Sequence, residues 1–373
     1  MNFTTFASCR LPAALAKLSA MHKLLFILFA LIATPLHAAE AWSKRAAQRD
    51  VVLKDFRFGT GETQDITMHV TTLGTPHRDA TGAVDNAVMV LHGTGGSGAQ
   101  FFRPQFADEL YGPGQVLDVT KWYVILPDNL GHGKSSKPSD RQRMAFPRYD
   151  YDDMVKAQQA MLTTGLGVKN LQLILGTSMG CMHAFVWGEM YPGFARRLAP
   201  CACNAVPIAG RNRMWRKMSI DAIKADPVWN GGNYTQAPAQ GLRTAADLGI
   251  IAGGNAWGLQ TDYPTRESAE KLLASMFDGG ARPDANDHIY QIDSSRNYNP
   301  APGLAKITVP VLWINSADDF INPPELGLAQ KHARLMPRAR FILIPYSPLT
   351  KGHGTHTWAK FWKNDLARLM AIK

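Results

Sequence analysis

Four cysteines in 373 residues are too few for a disulfide-built scaffold, and no second paired cluster accompanies Cys201-Ala202-Cys203 to make a zinc site. No apolar run has the length of a stop-transfer helix. There is no internal repeat and no low-complexity tract. The basic residues are scattered and form no stripe, which argues against a nucleic-acid surface. No Gly-Lys-Ser/Thr closes a glycine-rich loop, so a nucleotide P-loop is excluded. What is present is an ordinary globular mixture, 46% hydrophobic, 19% charged and 9% aromatic. That composition excludes a disordered chain, a collagen-like repeat and a coiled coil. The length suits one large domain with an insertion, or two small domains, with ample core and no need of a metal or disulfide staple.

The N-terminus reads as an address. Lys23 precedes the apolar run 24–33, and Pro35 and the small residues Ala38 and Ala39 follow. A basic start, a short apolar middle and a small-residue end make a secretory signal, expected over residues 1–39 with cleavage after Ala38 or Ala39. Met21 is an alternative start, and an uncleaved anchor helix is the alternative reading. Cleavage removes Arg10, Lys17 and Lys23, lowering the formal net charge from +10 by three. The mature protein is then expected in the periplasm or outside the cell, with no stable membrane span. Of its cysteines, Cys181, Cys201 and Cys203 remain. Their odd count and the Cys-Ala-Cys spacing predict buried free thiols.

Short apolar runs alternate with helical stretches. Residues 51–58 and 66–73 predict two strands joined at Gly59-Thr60-Gly61. Further strands are expected at 87–91, 122–126, 171–175, 197–203, 311–314 and 341–344. Wholly apolar strands of this length suit a mostly parallel sheet covered on both faces. Helices are expected at 151–162, opened by Asp152 and Asp153, at 179–191 and at 358–370. The order predicts a doubly wound α/β sheet. Residues 209–304, rich in Gly, Asn, Trp and Arg, lack strand runs and predict a helical cap inserted before the strand at 311.

The chemistry gathers at strand ends. Gly176-Thr177-Ser178-Met179-Gly180 is a Gly-x-Ser-x-Gly sequence between a predicted strand and a predicted helix, the setting of a nucleophile elbow. Flanking glycines permit a sharp turn that lifts Ser178 above the sheet at a helix N-terminus, where N–H groups favour developing negative charge. A serine hydroxyl needs a base within reach and an acid to orient that base. In chain order the acid comes next. Asp319 follows the strand at 311–314 and stands four residues before Pro323; Asp318 is the runner-up. The base then follows the last strand, as His353 in Gly352-His353, with His356 as the alternative. His183, in the nucleophile's helix, reads as a packing residue. After the third strand, His92-Gly93-Thr94-Gly95-Gly96 brings backbone N–H groups toward a reacting carbonyl, so Thr94 and Met179 are the expected oxyanion donors.

Other segments carry a resemblance: Leu73-Gly74-Thr75 with Asn86-Ala87-Val88, Asp128-Asn129-Leu130-Gly131, Tyr191-Pro192, residues 222–227 followed by Gly231-Gly232-Asn233-Tyr234, and Pro323-Pro324-Glu325. With Ser178-Met179-Gly180 they make the chain, from about residue 50 onward, resemble the α/β-hydrolase fold superfamily and, within it, the homoserine O-acetyltransferase-like branch. The resemblance implies a core of residues 40–208 and 305–373, a cap at 209–304, the triad Ser178, Asp319 and His353, and a homodimer. This chain departs from the acetyltransferases at Cys181, where they carry a second glycine. It departs again at Ile220, which aligns with the arginine that in those enzymes is thought to hold the amino-acid carboxylate; Arg213 or Arg216 takes that place only if the register slips. An exported enzyme also does not meet acetyl-CoA. The leading expectation is therefore an exported serine hydrolase cleaving an ester of a small-molecule acyl substrate, with no cofactor and no metal. An acyltransferase with the same triad and a non-catalytic binding protein are the alternatives. Trp215, Trp229, Tyr234 and Trp257 are expected in the cap core rather than in an acyl pocket.

Overall fold

A computed structural model describes residues 41–275 and 282–372; the expected signal at 1–39 lies outside them. Strands β1 (Ala47–Arg57) and β2 (Thr63–Leu73) pair antiparallel across the Gly59–Gly61 turn. Then come β3 (Ala87–Leu91), α1 (Pro104–Leu110), β4 (Tyr123–Pro127), α2 (Tyr151–Ala160), β5 (Leu173–Thr177), α3 (Met179–Met190) and β6 (Leu198–Cys201). Five helices follow: α4 (Gly210–Ala225), α5 (Ala239–Gly253), α6 (Ala256–Asp262), α7 (Arg266–Ser275) and α8 (Ala285–Asp293). The chain returns through β7 (Val311–Ser316), α9 (Leu328–Ala333), β8 (Ala339–Ile344) and α10 (Lys363–Met370).

The strands form one eight-stranded sheet in the order β1-β2-β4-β3-β5-β6-β7-β8. From β4 to β8 every neighbouring pair is parallel, while β2 runs antiparallel to both β1 and β4. Strand β3 shows why a continuous apolar run is needed there. Ala87, Met89 and Leu91 join a core beneath α2 and α3, whereas Val88 and Val90 join a second core beneath α1 and α10. Both faces are dry, so neither alternate position can be polar. The helix at 151 begins as expected, because Asp150 accepts the N–H groups of Asp152 and Asp153. Helix α10 is shorter than expected: residues 352–361 form short 3₁₀ turns instead.

The helices between β6 and β7 share their own small apolar cluster, including Ile220, Ile223, Leu242 and Ile289. Trp215, Trp229 and Tyr234 pack against it, while Trp257 is largely exposed.

The cysteine expectation is corrected. Cys181 and Cys203 form a disulfide with Cα atoms 5.8 Å apart, and only Cys201 is a buried free thiol. In a regular strand residues 201 and 203 would point the same way. Ala202 sits in the left-handed region at φ 67° and breaks the alternation. Cys201 therefore lies in the core beneath α1 and α10, and Cys203 in the core beneath α3, where it meets the first turn of that helix.

Candidate active site

The C-terminal ends of β3, β5, β7 and β8 converge, and each delivers one predicted group. Ser178 follows β5 with φ 54° and ψ −109°, a conformation that costs energy in any residue with a β-carbon. The flanking glycines allow it. A β-carbon on Gly176 would lie 1.9 Å from the Gly180 carbonyl oxygen, and one on Gly180 would lie 2.2 Å from the Leu91 carbonyl oxygen. The turn is pinned on two sides. Ser178 N–H donates to the Cys201 carbonyl at 2.8 Å, and Gly180 N–H donates to the His92 carbonyl at 3.1 Å.

Ser178 Oγ lies 2.8 Å from His353 Nε2, and His353 Nδ1 lies 2.8 Å from Asp319 Oδ2. A carboxylate only accepts, so Nδ1 carries the proton and Nε2 is free to accept the serine O–H. The structure brings together Ser178, Asp319 and His353, and it separates their alternatives. Asp318 instead accepts from Ser316 Oγ, Asn255 Nδ2 and the Gly352 N–H. His356 turns away, its Nδ1–H donating to the His353 carbonyl at 2.5 Å. Burial, helped by the neighbouring His353, pushes the His356 pKa down to about 3.

Asp319 has no exposed side-chain surface. Burial alone would raise its pKa, but the neighbouring His353 and the hydrogen bonds from Asn322 outweigh burial and hold it below the usual carboxylate range. Asn322 gives it both a backbone N–H at 3.1 Å and Nδ2 at 3.0 Å, and Ile321 adds its N–H at 2.8 Å. Sequence reasoning passed over Asn322. The available signal was Asp-x-x-Asn, the spacing at which a turn folds a side-chain amide back onto the acid.

The N–H groups of Thr94 and Met179 stay free of hydrogen bonds among the described residues, as oxyanion donors require. Gly93 holds the Thr94 loop against the nucleophile, since a β-carbon there would lie 3.2 Å from Ser178 Cβ. His92 braces the loop from behind. Its Nε2 accepts the Asn129 N–H at 3.0 Å, so the proton sits on Nδ1 and is donated to the Gly93 carbonyl at 2.8 Å. His183 is a buried packing residue, its ring edge-on to Tyr151 and its Nδ1 3.1 Å from Gln158 Nε2. Beside the site lies a largely apolar cavity of about 470 Å³, lined by Met182, Asn204, Ile208, Ile321, Asn322 and Leu328 among others. Among the described residues no three His, Cys, Asp or Glu side chains are grouped to hold a metal ion.

A sequence profile described as the alpha/beta hydrolase fold matches residues 86–347. The chain belongs to the α/β-hydrolase fold family. Within the family it is 32% identical, over 260 residues, to a homoserine O-acetyltransferase from Solidesulfovibrio magneticus; the match covers 64% of this chain and 62% of that relative's length. Among solved structures of the fold, a homoserine O-acetyltransferase from Bacillus anthracis superposes with a TM-score of 0.78 at 22% identity, covering 88% of this chain and 98% of that one. An acetylester hydrolase from Corynebacterium glutamicum superposes with a TM-score of 0.76 at 19% identity, covering 87% and 96%. The expected fold and branch resemblance are thus found. Fold similarity at this identity speaks to architecture and not to reaction.

Proposed function

We propose that the chain is an exported serine hydrolase that cleaves a carboxylic ester, or a related acyl bond, through an acyl-enzyme on Ser178. The observation that carries the reading is the unbroken chain Ser178 Oγ, His353, Asp319, with both links at 2.8 Å. Ser178 attacks the carbonyl carbon while His353 Nε2 takes its proton. Asp319 keeps the imidazole in the required tautomer and stabilises it when charged. The Thr94 and Met179 N–H groups receive the negative charge that forms on the carbonyl oxygen. Collapse expels the alcohol, which takes the proton back from His353 Nε2. A water molecule, deprotonated by the same nitrogen, then attacks the acyl-enzyme and frees Ser178.

Export is supported by the signal-like start of the sequence and by the Cys181–Cys203 disulfide, a bond that persists in oxidising compartments. No helix among the described residues is long and apolar enough to cross a membrane. An acyltransferase is the second reading, favoured by the similarity to the S. magneticus acetyltransferase. Cys181, Ile220 and the separation of an exported enzyme from acetyl-CoA favour water as acceptor. A homodimer is part of the proposal and is checked by light scattering.

The test has two arms. A fluorophosphonate probe is expected to label the wild-type protein and not Ser178→Ala; an unlabelled wild type would favour a binding protein without catalysis. Product analysis on p-nitrophenyl esters of graded chain length, with and without homoserine and acetyl-CoA, is expected to give free acid. Acetylhomoserine as the main product would establish the transferase.

A further inference from the structure

Cys203 is held from two directions. Its backbone is bound to the acid-bearing strand: the N–H donates to Asn315 Oδ1 at 3.2 Å, and the carbonyl accepts from Asn315 Nδ2 at 3.1 Å and from Trp313 Nε1 at 3.0 Å. Its side chain is bound to the nucleophile's helix through the disulfide to Cys181, just past Met179. The backbone ladder between β6 and β7 ends at Cys201 and Ile314. Beyond that point the Asn315 amide takes over, exchanging two hydrogen bonds with Cys203 as a neighbouring strand would. Cys181, Cys203 and Asn315 are all buried, so a bond lost among them leaves a polar group without water to replace its partner.

The two residues before Cys203 join the same parts of the site. The Cys201 carbonyl accepts the Ser178 N–H at 2.8 Å. Ala202 donates its N–H to the Ile314 carbonyl at 2.8 Å, and its carbonyl accepts Asn322 Nδ2 at 3.1 Å. The same Nδ2 donates to Asp319 Oδ2 at 3.0 Å. Three successive residues thus bind the nucleophile, the amide that holds the acid, and the helix whose first N–H is the Met179 oxyanion donor.

Resting on the triad reading of this site, we infer that Cys203, bridged to Cys181 and gripped by Asn315, is a positioning residue for the reaction. It fixes the helix carrying Met179, and with it Ser178, against the strand and loop carrying Asp319. The sulfurs touch no reacting atom; they act through Met179 on one side and through Ala202 and Asn322 on the other. A shift of about 1 Å, even from a change remote from the chemistry, costs on the order of 10²-fold in rate. The bridge therefore governs turnover as well as stability.

Cys181→Ala/Cys203→Ala removes the bridge and both of its thiols. Far below its melting temperature, this variant is expected to lose about tenfold or more in kcat on p-nitrophenyl acetate, with KM changed by less than about threefold. Asn315→Ala, which keeps the disulfide, is expected to lower kcat in the same way and carries the comparison should the bridge variant fail to fold. Combining the two is expected to cost less than the product of their separate effects, because both open one contact. Leu366→Ala, in the core on the other face of the sheet, destabilises on a similar scale and is expected to keep kcat within about twofold. An unchanged kcat without the bridge, or an equal loss in Leu366→Ala, overturns the positioning role. A second readout needs no turnover: the far-downfield NMR resonance of the proton between His353 Nδ1 and Asp319, assigned by its loss in His353→Ala. It is expected to shift or broaden in the bridge and Asn315 variants and to stay in place in Leu366→Ala. If the wild type hydrolyses no ester, the hydrolase reading fails and this resonance decides alone. A shift specific to the bridge and Asn315 variants would keep the positioning role, and no shift would remove it.

Discussion

Asp318 Oδ2 accepts the Gly352 N–H at 2.9 Å, one residue along each strand of chain from the point where Asp319 meets His353 at 2.8 Å. Two adjacent acids hold one loop, but only the second touches the imidazole. Asp319→Asn is therefore expected to lower kcat by about 10⁴-fold, the scale seen when an orienting acid is lost. Asp318→Asn is expected to cost about tenfold or less in kcat while lowering Tm, because it loosens the loop and spares the tautomer. Steady-state kinetics and thermal melts of both variants check this, and equal losses of kcat would refute the assignment.

Gly180→Ala places a β-carbon 2.2 Å from the Leu91 carbonyl oxygen. Backbone cannot yield that far without moving β3 or α3. The variant is expected to lose about 3 kcal/mol or more of stability, or to fail to fold. Gly249→Ala, at an exposed position of α5 with open space around its β-carbon, should instead gain about 0.5–1 kcal/mol. Denaturant titrations of the two proteins separate the effect of this site from that of glycine replacement in general.

The disulfide between Cys181 and Cys203 closes a loop of sequence separation 22. Chain entropy predicts a stabilisation of about 3 kcal/mol for a loop of that order. Cys203→Ser, or reduction of the wild type, is expected to lower Tm accordingly, whereas reductant should leave the melt of Cys203→Ser where it is. Thiol titration of the denatured mature chain should find one free thiol, from Cys201, before reduction and three after it.

Burial holds the pKa of His183 at about 3, of His288 at about 4 and of His356 at about 3. The unfolded chain protonates its histidines near pH 6.5, so between there and pH 4 the unfolded state binds more protons than the native state. Stability is complete above about pH 6.5 and falls as pH drops, by about 1.4 kcal/mol per unit for each such histidine. Melts from pH 7 to pH 4.5 should show this decline, with a shallower slope in His288→Gln; an unchanged slope would contradict the neutral burial of His288.

The parts of this molecule that were legible in sequence are those where one local rule decides. A strand dry on both faces must be apolar throughout, as at 87–91, and a turn as tight as that at Ser178 needs glycine at 176 and 180. The disulfide was hidden because it depends on one left-handed residue, Ala202, and on the approach of β6 to α3; neither leaves a mark in the spacing of the cysteines. The burial of Arg216 was hidden for a related reason. Its position on a helix reads as surface, and only the tertiary packing of α4 over Tyr151 and Thr94 takes it out of water. The choice of Asp319 over Asp318 lay between, since both follow β7 and side-chain direction decides.

The 100 residues between Cys203 and Leu304 leave the sheet at a point covalently tied to the serine's own helix. The sulfur bridge fixes the root of that excursion to the first turn of the helix that follows Ser178. Substrate preference could then drift through exchange of the whole excursion between relatives, while the reacting geometry stays fixed beneath it.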